Sequence, residues 1–88
     1  MNSKIYERIE LLSEVLEYCT QLQEKGKGAA FSSGERILIN QERGALFTQL
    51  DESIDNREFY TQPDNARFFT VPQYLENKIQ FNHSKIIQ

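Results

Sequence analysis

The chain offers few side chains that could catalyse a reaction or bind a metal ion. It contains one cysteine, Cys19, and one histidine, His83, which is too few for a structural zinc site with four nitrogen or sulfur ligands. A nucleophilic thiol needs a nearby base and an accessible, electropositive setting, whereas the spacing of Cys19 places it among apolar helix positions. We therefore interpret Cys19 as a small buried residue, and we predict a protein that is not an enzyme and binds no cofactor or metal.

Two short patterns partly match ligand-binding loops but lack essential residues. The segment 26–28, Gly-Lys-Gly, follows a predicted helix, whereas a phosphate-binding loop precedes one and continues into Gly-Lys-Ser/Thr. Oxygen-bearing residues stand at the first three ligand positions of a calcium loop, namely Asp51, Ser53 and Asp55. However, Asn56 replaces the required glycine and Gln62 replaces the bidentate glutamate. These segments indicate a helix C-cap with a linker and a solvated acidic turn.

Arginines alternate with aromatic residues in the second half of the chain. Arginine neutralises phosphate and aromatic rings stack on bases, so this pattern is typical of single-stranded nucleic-acid binding. It defines our alternative hypothesis, a nucleic-acid or nucleotide-binding surface made of Arg43, Arg57, Phe59, Tyr60, Arg67 and Phe68. Glu58 and Asp64 adjoin these residues and the net charge is −3, which argues against a basic footprint. We favour the interpretation that the rings form the core of a hairpin.

The clearest predicted element is an amphipathic helix from about Ser3 to Lys25, with Gly26 or Gly28 in the left-handed position that ends it. Its apolar residues form two adjoining stripes. The first stripe contains Ile5, Ile9, Leu12, Leu16 and Cys19, and the second contains Leu11, Val15, Tyr18 and Leu22. One helix on a small sheet needs one stripe, so we predict that the second stripe is the seam of a symmetric homodimer or the site of another protein partner.

The opposite face of this helix is acidic and carries Glu7, Glu10, Glu14 and Glu17, with Glu24 further along. Such a row is either a solvated surface or a recognition surface for a basic protein.

The remainder of the chain predicts two hairpins and a short helix. Residues 35–50 surround a turn at 41–44, although residues 45–55 also fit a helical stripe of Leu46, Phe47, Leu50 and Ile54, and the spacing does not decide between strand and helix. Residues 59–71 predict a second hairpin around Pro63. Pro72 suits the first turn of a C-terminal helix through Leu75 and Ile79, and residues 83–88 predict a frayed tail.

These elements predict one small α+β domain over residues 1–88, in which a long N-terminal helix packs on antiparallel β-hairpins closed by a short C-terminal helix. A composition of 39% hydrophobic residues is that of a folded chain. No apolar run approaches the roughly 18 residues of a membrane span, and a charged amphipathic stretch follows the N-terminus, so we expect a cytoplasmic protein. Our functional hypothesis is a protein-binding inhibitor or adaptor, of the kind encoded by phages and mobile elements.

Overall fold

The computed structural model describes residues 3–52 and 69–87, and all regular secondary structure in these ranges is helical. Helix α1 spans Ser3–Glu24, α2 spans Ser33–Glu52 and α3 spans Gln73–Ile86. The predicted α+β class is therefore wrong, and the described part of the chain is a small all-helical unit. The first predicted hairpin lies entirely within α2.

Helix α1 confirms the prediction made from its spacing and ends as the glycines indicate. Gly26 has a φ of 72°, the left-handed conformation that glycine adopts without steric cost. The N–H of Lys27 donates to the carbonyl of Leu22 at 2.9 Å, and that of Gly26 donates to the carbonyl of Gln23 at 3.1 Å. This pair of bonds is a Schellman motif, which satisfies the last carbonyls of the helix.

Helix α2 begins with a capping box. The N–H of Glu35 donates to the Ser32 hydroxyl at 3.1 Å, and the N–H of Ser32 donates to the Glu35 carboxylate at 3.0 Å. These reciprocal bonds satisfy two backbone donors at the start of the helix. The helical alternative for residues 45–55 is thus correct as far as Glu52, and Gly44 lies in mid-helix instead of in a turn.

Helix α3 begins directly after Pro72, as predicted, and buries Leu75 and Ile79. It continues to Ile86, so most of the predicted frayed tail is helical; Asn82 is buried and Ile86 packs against the core. Of the second predicted hairpin, residues 59–68 lie outside the described residues. Residues 69–71 are described and do not form a strand.

The core lies where α1 packs against both other helices. Its buried residues come from all three helices and the segments beside them: Leu12, Val15, Cys19, Phe31, Ile39, Val71, Leu75 and Ile79. Cys19 is fully buried, as predicted, with its Sγ 3.7 Å from the carbonyl oxygen of Phe31. Because α1 contacts two helices, both of its apolar stripes contribute to the core.

A partly buried ion-pair cluster joins the three helices. The Arg8 guanidinium on α1 donates to Glu42 on α2, with Nε 2.7 Å from Oε2, and to both carboxylate oxygens of Glu76 on α3. Glu42 also accepts the N–H of Val71 at 3.0 Å. Burial by itself would lower the pKa of Arg8, but its hydrogen bonds to the two carboxylates raise it above the usual value. The contact of Arg8 with Glu76 places the starts of α1 and α3 side by side, so these helices run parallel.

A second ion pair joins α2 to α3. Lys78 Nζ lies 2.7 Å from the Glu35 carboxylate and 5.7 Å from the centre of the Phe31 ring. The Lys78 ammonium and the N–H of Ser32 hold the pKa of Glu35 below its usual value. Partial burial by itself would raise the pKa of Glu76, but hydrogen bonds from Arg8 and Gln80 lower it below its usual value.

These lowered pKa values predict a loss of stability in acid. In the unfolded chain the two carboxylates take up protons near pH 4.5, and in the folded chain they do so at lower pH. The ionised carboxylates therefore stabilise the fold above pH 4.5. This stabilisation is lost as the pH falls through their pKa values in the folded chain. We expect the urea midpoint to be constant between pH 7 and pH 5 and to fall by pH 3, and Glu35→Gln should reduce the fall. A midpoint that does not change down to pH 3 would contradict this prediction.

Candidate protein-binding groove between α1 and α2

A shallow groove runs along the surface where α1 and α2 meet, and it has a volume of about 440 Å³. Four α1 residues line one wall and three α2 residues line the other: Ser13, Leu16, Glu17 and Thr20, facing Arg36, Asn40 and Arg43. The two helices are antiparallel, because Arg43 contacts Ser13 near the middle of α1 and Arg36 contacts Gln23 near its end. The groove therefore follows the shared axis of the helix pair.

Two arginines on the α2 wall have hydrogen-bonding capacity to spare. Arg36 and Arg43 are seven positions apart, so they lie on one line of the helix; we call them the arginine row. Arg43 Nη1 donates to the Ser13 hydroxyl at 3.0 Å, and Arg36 Nη1 donates to the Gln23 side-chain oxygen at 3.3 Å. Both acceptors are neutral, so these contacts do not offset the guanidinium charges.

The Nε atom of Arg36 is buried and has no hydrogen-bond partner among the residues that the structure describes. An unsatisfied buried donor of this kind costs about 1–3 kcal/mol. Arginine presents its N–H groups as a planar fork that matches a carboxylate or phosphate. The α2 wall is consequently suited to an anionic group.

The α1 wall carries one carboxylate, that of Glu17. Glu10, Glu17 and Glu24 are spaced by seven residues and are exposed; we call them the glutamate row. They belong to the acidic face predicted from the sequence, of which Glu7 is also exposed. Glu14 differs from the rest because it is half-buried, with Oε1 3.5 Å from Nε2 of His83 on α3.

An exposed aromatic residue extends each row toward the start of α1. Tyr6 precedes Glu10 by four positions and is 60% exposed, and Phe47 follows Arg43 by four positions and is 48% exposed. Each is thus on the same line of its helix as the charged row. Because the helices are antiparallel, both rings lie toward the same end of the groove. Exposed aromatic rings beside arginine are enriched in protein interfaces.

The predicted dimer seam lies on the other side of α1, towards α3. Val15 at its centre is fully buried in the core of the single chain, so it cannot form a surface seam. Leu11 packs against the same core, and Leu22 is half-buried. Tyr18 is half-buried beside Lys85 and Ile86 of α3, in a separate open cavity of about 370 Å³.

Only part of the alternative nucleic-acid surface is described. Arg43 lies in the groove, and the other residues proposed for that surface lie outside the described ranges: Arg57, Phe59, Tyr60, Arg67 and Phe68. Of the partial calcium-loop pattern, Asp51 belongs to the last turn of α2, and Ser53 and Asp55 lie outside the described ranges.

Sequence reasoning missed Arg36 because the residue types of 35–40 favour a strand. Two signals could have identified it, namely the Ser-x-x-Glu capping box at Ser32 and the seven-residue spacing to Arg43.

Comparisons of the chain with protein-family models, with curated proteins and with solved structures give no match. Within the described ranges, none of the helices has the length and apolar content needed to cross a membrane. The function of the groove must therefore be inferred from its own geometry and charge.

Proposed function

We propose that this chain is a non-enzymatic protein-binding module, acting as a small inhibitor or adaptor, that binds helical segments in the groove between α1 and α2. The observation that carries the proposal is the groove itself, with Arg36 and Arg43 on one wall and Glu17 on the other. The rest of the glutamate row and the exposed rings of Tyr6 and Phe47 lie along the same lines of their helices.

The shape of the groove supports a helix as its ligand. Two antiparallel helices leave a channel into which a third helix fits at the usual interaxial distance of about 8–10 Å. Charged rows with a seven-residue repeat match the flanks of such a helix, as in coiled coils, where flanking charges determine partner and orientation. Docking of an amphipathic helix into a groove is also a common mode of peptide recognition.

The charges specify the flanks of the partner helix. Carboxylates are required beside Arg36 and Arg43, and lysines or arginines beside Glu17 and Glu24. Tyr6 and Phe47 would contact apolar residues near one end of the partner helix. Aromatic and arginine residues supply most of the binding energy in typical interfaces, so these side chains should dominate affinity.

The same charges disfavour nucleic acid. A polyanion lying along the arginine row would also pass the glutamate row on the opposite wall, and the chain as a whole carries a net charge of −3. Like-charge contacts of this kind suppress association. A nucleic-acid ligand would have to avoid the α1 wall altogether.

A designed peptide tests the proposal. A helix of about three heptads, with apolar residues on one face, glutamates on one flank and lysines on the other, should bind the protein, and Arg43→Glu should weaken binding by about tenfold, or about 1.4 kcal/mol. The matched control is Lys85→Glu, an equal charge change on α3, which should leave the affinity within about twofold because surface charges outside the contact contribute little.

Two outcomes would count against the proposal. One is an equal loss of affinity in Arg43→Glu and Lys85→Glu, which would indicate a general charge effect. The other is tighter binding of a single-stranded oligonucleotide than of the peptide, with affinity falling steeply as salt rises, which would favour the nucleic-acid hypothesis.

A further inference from the structure

We infer that the face made by α1 and α2 binds the same face of a second copy of this chain, groove against groove, forming a symmetric dimer whose two-fold axis is parallel to the helices. The inference rests on the proposed protein-binding function of the groove and names its partner. It replaces the seam predicted around Val15, which is buried within one chain.

Charge selects the orientation of the two copies. When two α1/α2 faces meet about a two-fold axis along the helices, α1 of each copy lies opposite α2 of the other. The glutamate row of one copy then faces the arginine row of the other, twice per dimer. A two-fold axis across the helices would instead oppose α1 to α1 and place the glutamate rows against each other, which like-charge repulsion disfavours.

The register within one chain agrees with this orientation. Arg43 lies at the height of Ser13, to which it donates, and Arg36 lies at the height of Gln23. A two-fold axis along the helices leaves the position of each residue along that axis unchanged. Arg43 therefore lies about one helical turn from Glu17 of the second copy. Arg36 lies within one turn of Glu24 of the second copy. Arginine side chains can reach across such offsets.

The area is sufficient for a stable contact. Helix α1 has 22 residues, hence a length of about 33 Å, and two helices side by side are about 20 Å wide. The face thus offers roughly 650 Å² per copy and about 1,300 Å² in total, above the roughly 1,000 Å² expected of a specific interface. Tyr6 and Phe47 would lose much of their exposed surface in this contact.

The test uses two charge-reversal variants, each of which should weaken its own homodimer and which should bind each other when mixed. At the facing positions 17 and 43, Glu17→Arg gives a chain with two positive charges and Arg43→Glu gives a chain with two negative charges. By sedimentation, wild type should dimerise with a Kd on the order of 10 µM, a value typical of modest, partly polar contacts. Each single variant should dimerise at least tenfold more weakly.

Mixing the two variants should produce a heterodimer at least tenfold tighter than either homodimer, because the positive charges at positions 17 and 43 of the Glu17→Arg chain then face the negative charges at positions 43 and 17 of the Arg43→Glu chain. Fluorescent labelling of one variant reports this species, and circular dichroism confirms that both variants remain helical. Glu17 is exposed, so Glu17→Arg should fold even if Arg43→Glu is destabilised.

The outcomes separate this inference from the proposed function. A wild type that stays monomeric at about 100 µM, or a mixture with no preference for the heterodimer, overturns the dimer. If the designed peptide nevertheless binds wild type and not Arg43→Glu, the groove still binds helices and only the identity of its partner is wrong. If neither the second copy nor the peptide binds, both proposals fail.

Discussion

Replacing Val15 with glutamate is expected to unfold the protein. The side chain of Val15 is fully buried in the core to which all three helices contribute, where a carboxylate would have no compensating partner. Such substitutions cost more than about 4 kcal/mol, and a chain of this size is stable by only about 5–10 kcal/mol. We expect the helical signal to be lost, or the urea midpoint to fall sharply, in circular dichroism.

The control for this substitution places the same residue on the exposed face of α1. Lys4 is exposed, and Lys4→Glu should change the free energy of unfolding by less than about 0.5 kcal/mol, as surface substitutions usually do. If Val15→Glu instead folded normally and changed only the state of association, the second apolar stripe would be a surface seam and the helix arrangement described above would be wrong.

Replacing Arg8 with methionine is expected to lower the free energy of unfolding by about 3–5 kcal/mol, because it leaves the buried Glu42 carboxylate without its counter-charge. Glu42 is only 4% exposed and also accepts the N–H of Val71, so it cannot move out into water without losing that bond. The measurement is urea denaturation at pH 7.

A second substitution distinguishes the loss of charge pairing from the loss of packing. Glu42→Gln in the Arg8→Met background removes the uncompensated charge and keeps an acceptor for Val71, so it should restore part of the lost stability. If Arg8→Met costs less than about 1 kcal/mol, or if the second substitution destabilises the chain further, the cluster does not hold the three helices together as described.

Local patterns were sufficient to predict α1 and the start of α3. The three- and four-residue spacing of apolar side chains, the left-handed Gly26 and the position of Pro72 all act within a few residues of the chain. Cys19 could also be assigned to the core, because its spacing from Leu12 and Leu16 is that of a helix. Each of these features was confirmed.

Helix α2 was predicted as a hairpin because its local residue preferences favour a strand and a turn, although the capping box at Ser32 marks the start of a helix. Residues 37–39 and Gly44 favour a strand and a turn by local preference. The contacts that favour a helix here include those of Glu42 with Arg8, 34 positions away, and of Glu35 with Lys78, 43 positions away. Tertiary contacts of this kind override propensity in short apolar segments.

The candidate site could be predicted only if α2 was recognised as a helix. The acidic row on α1 could be recognised from its spacing, but its meaning changes once an arginine row lies across a groove from it. With residues 35–40 in a strand and residues 41–44 in a turn, Arg36 and Arg43 would not lie on one line of a single element. Similarly, an α1 that packs on a sheet needs one apolar stripe, whereas an α1 that packs against two helices needs both.

The central claim is that the face between α1 and α2 is the binding surface, and concentration-dependent amide NMR spectra of wild type test it most directly. On raising the concentration from about 10 µM to 1 mM, a range that spans the affinity expected of a modest interface, we predict that shift changes concentrate at Glu17, Thr20, Arg36, Asn40 and Arg43 and require at least tenfold higher concentration in Glu17→Arg. Shift changes confined to α3 around Tyr74 and Phe81, whose rings are also exposed, would contradict the account.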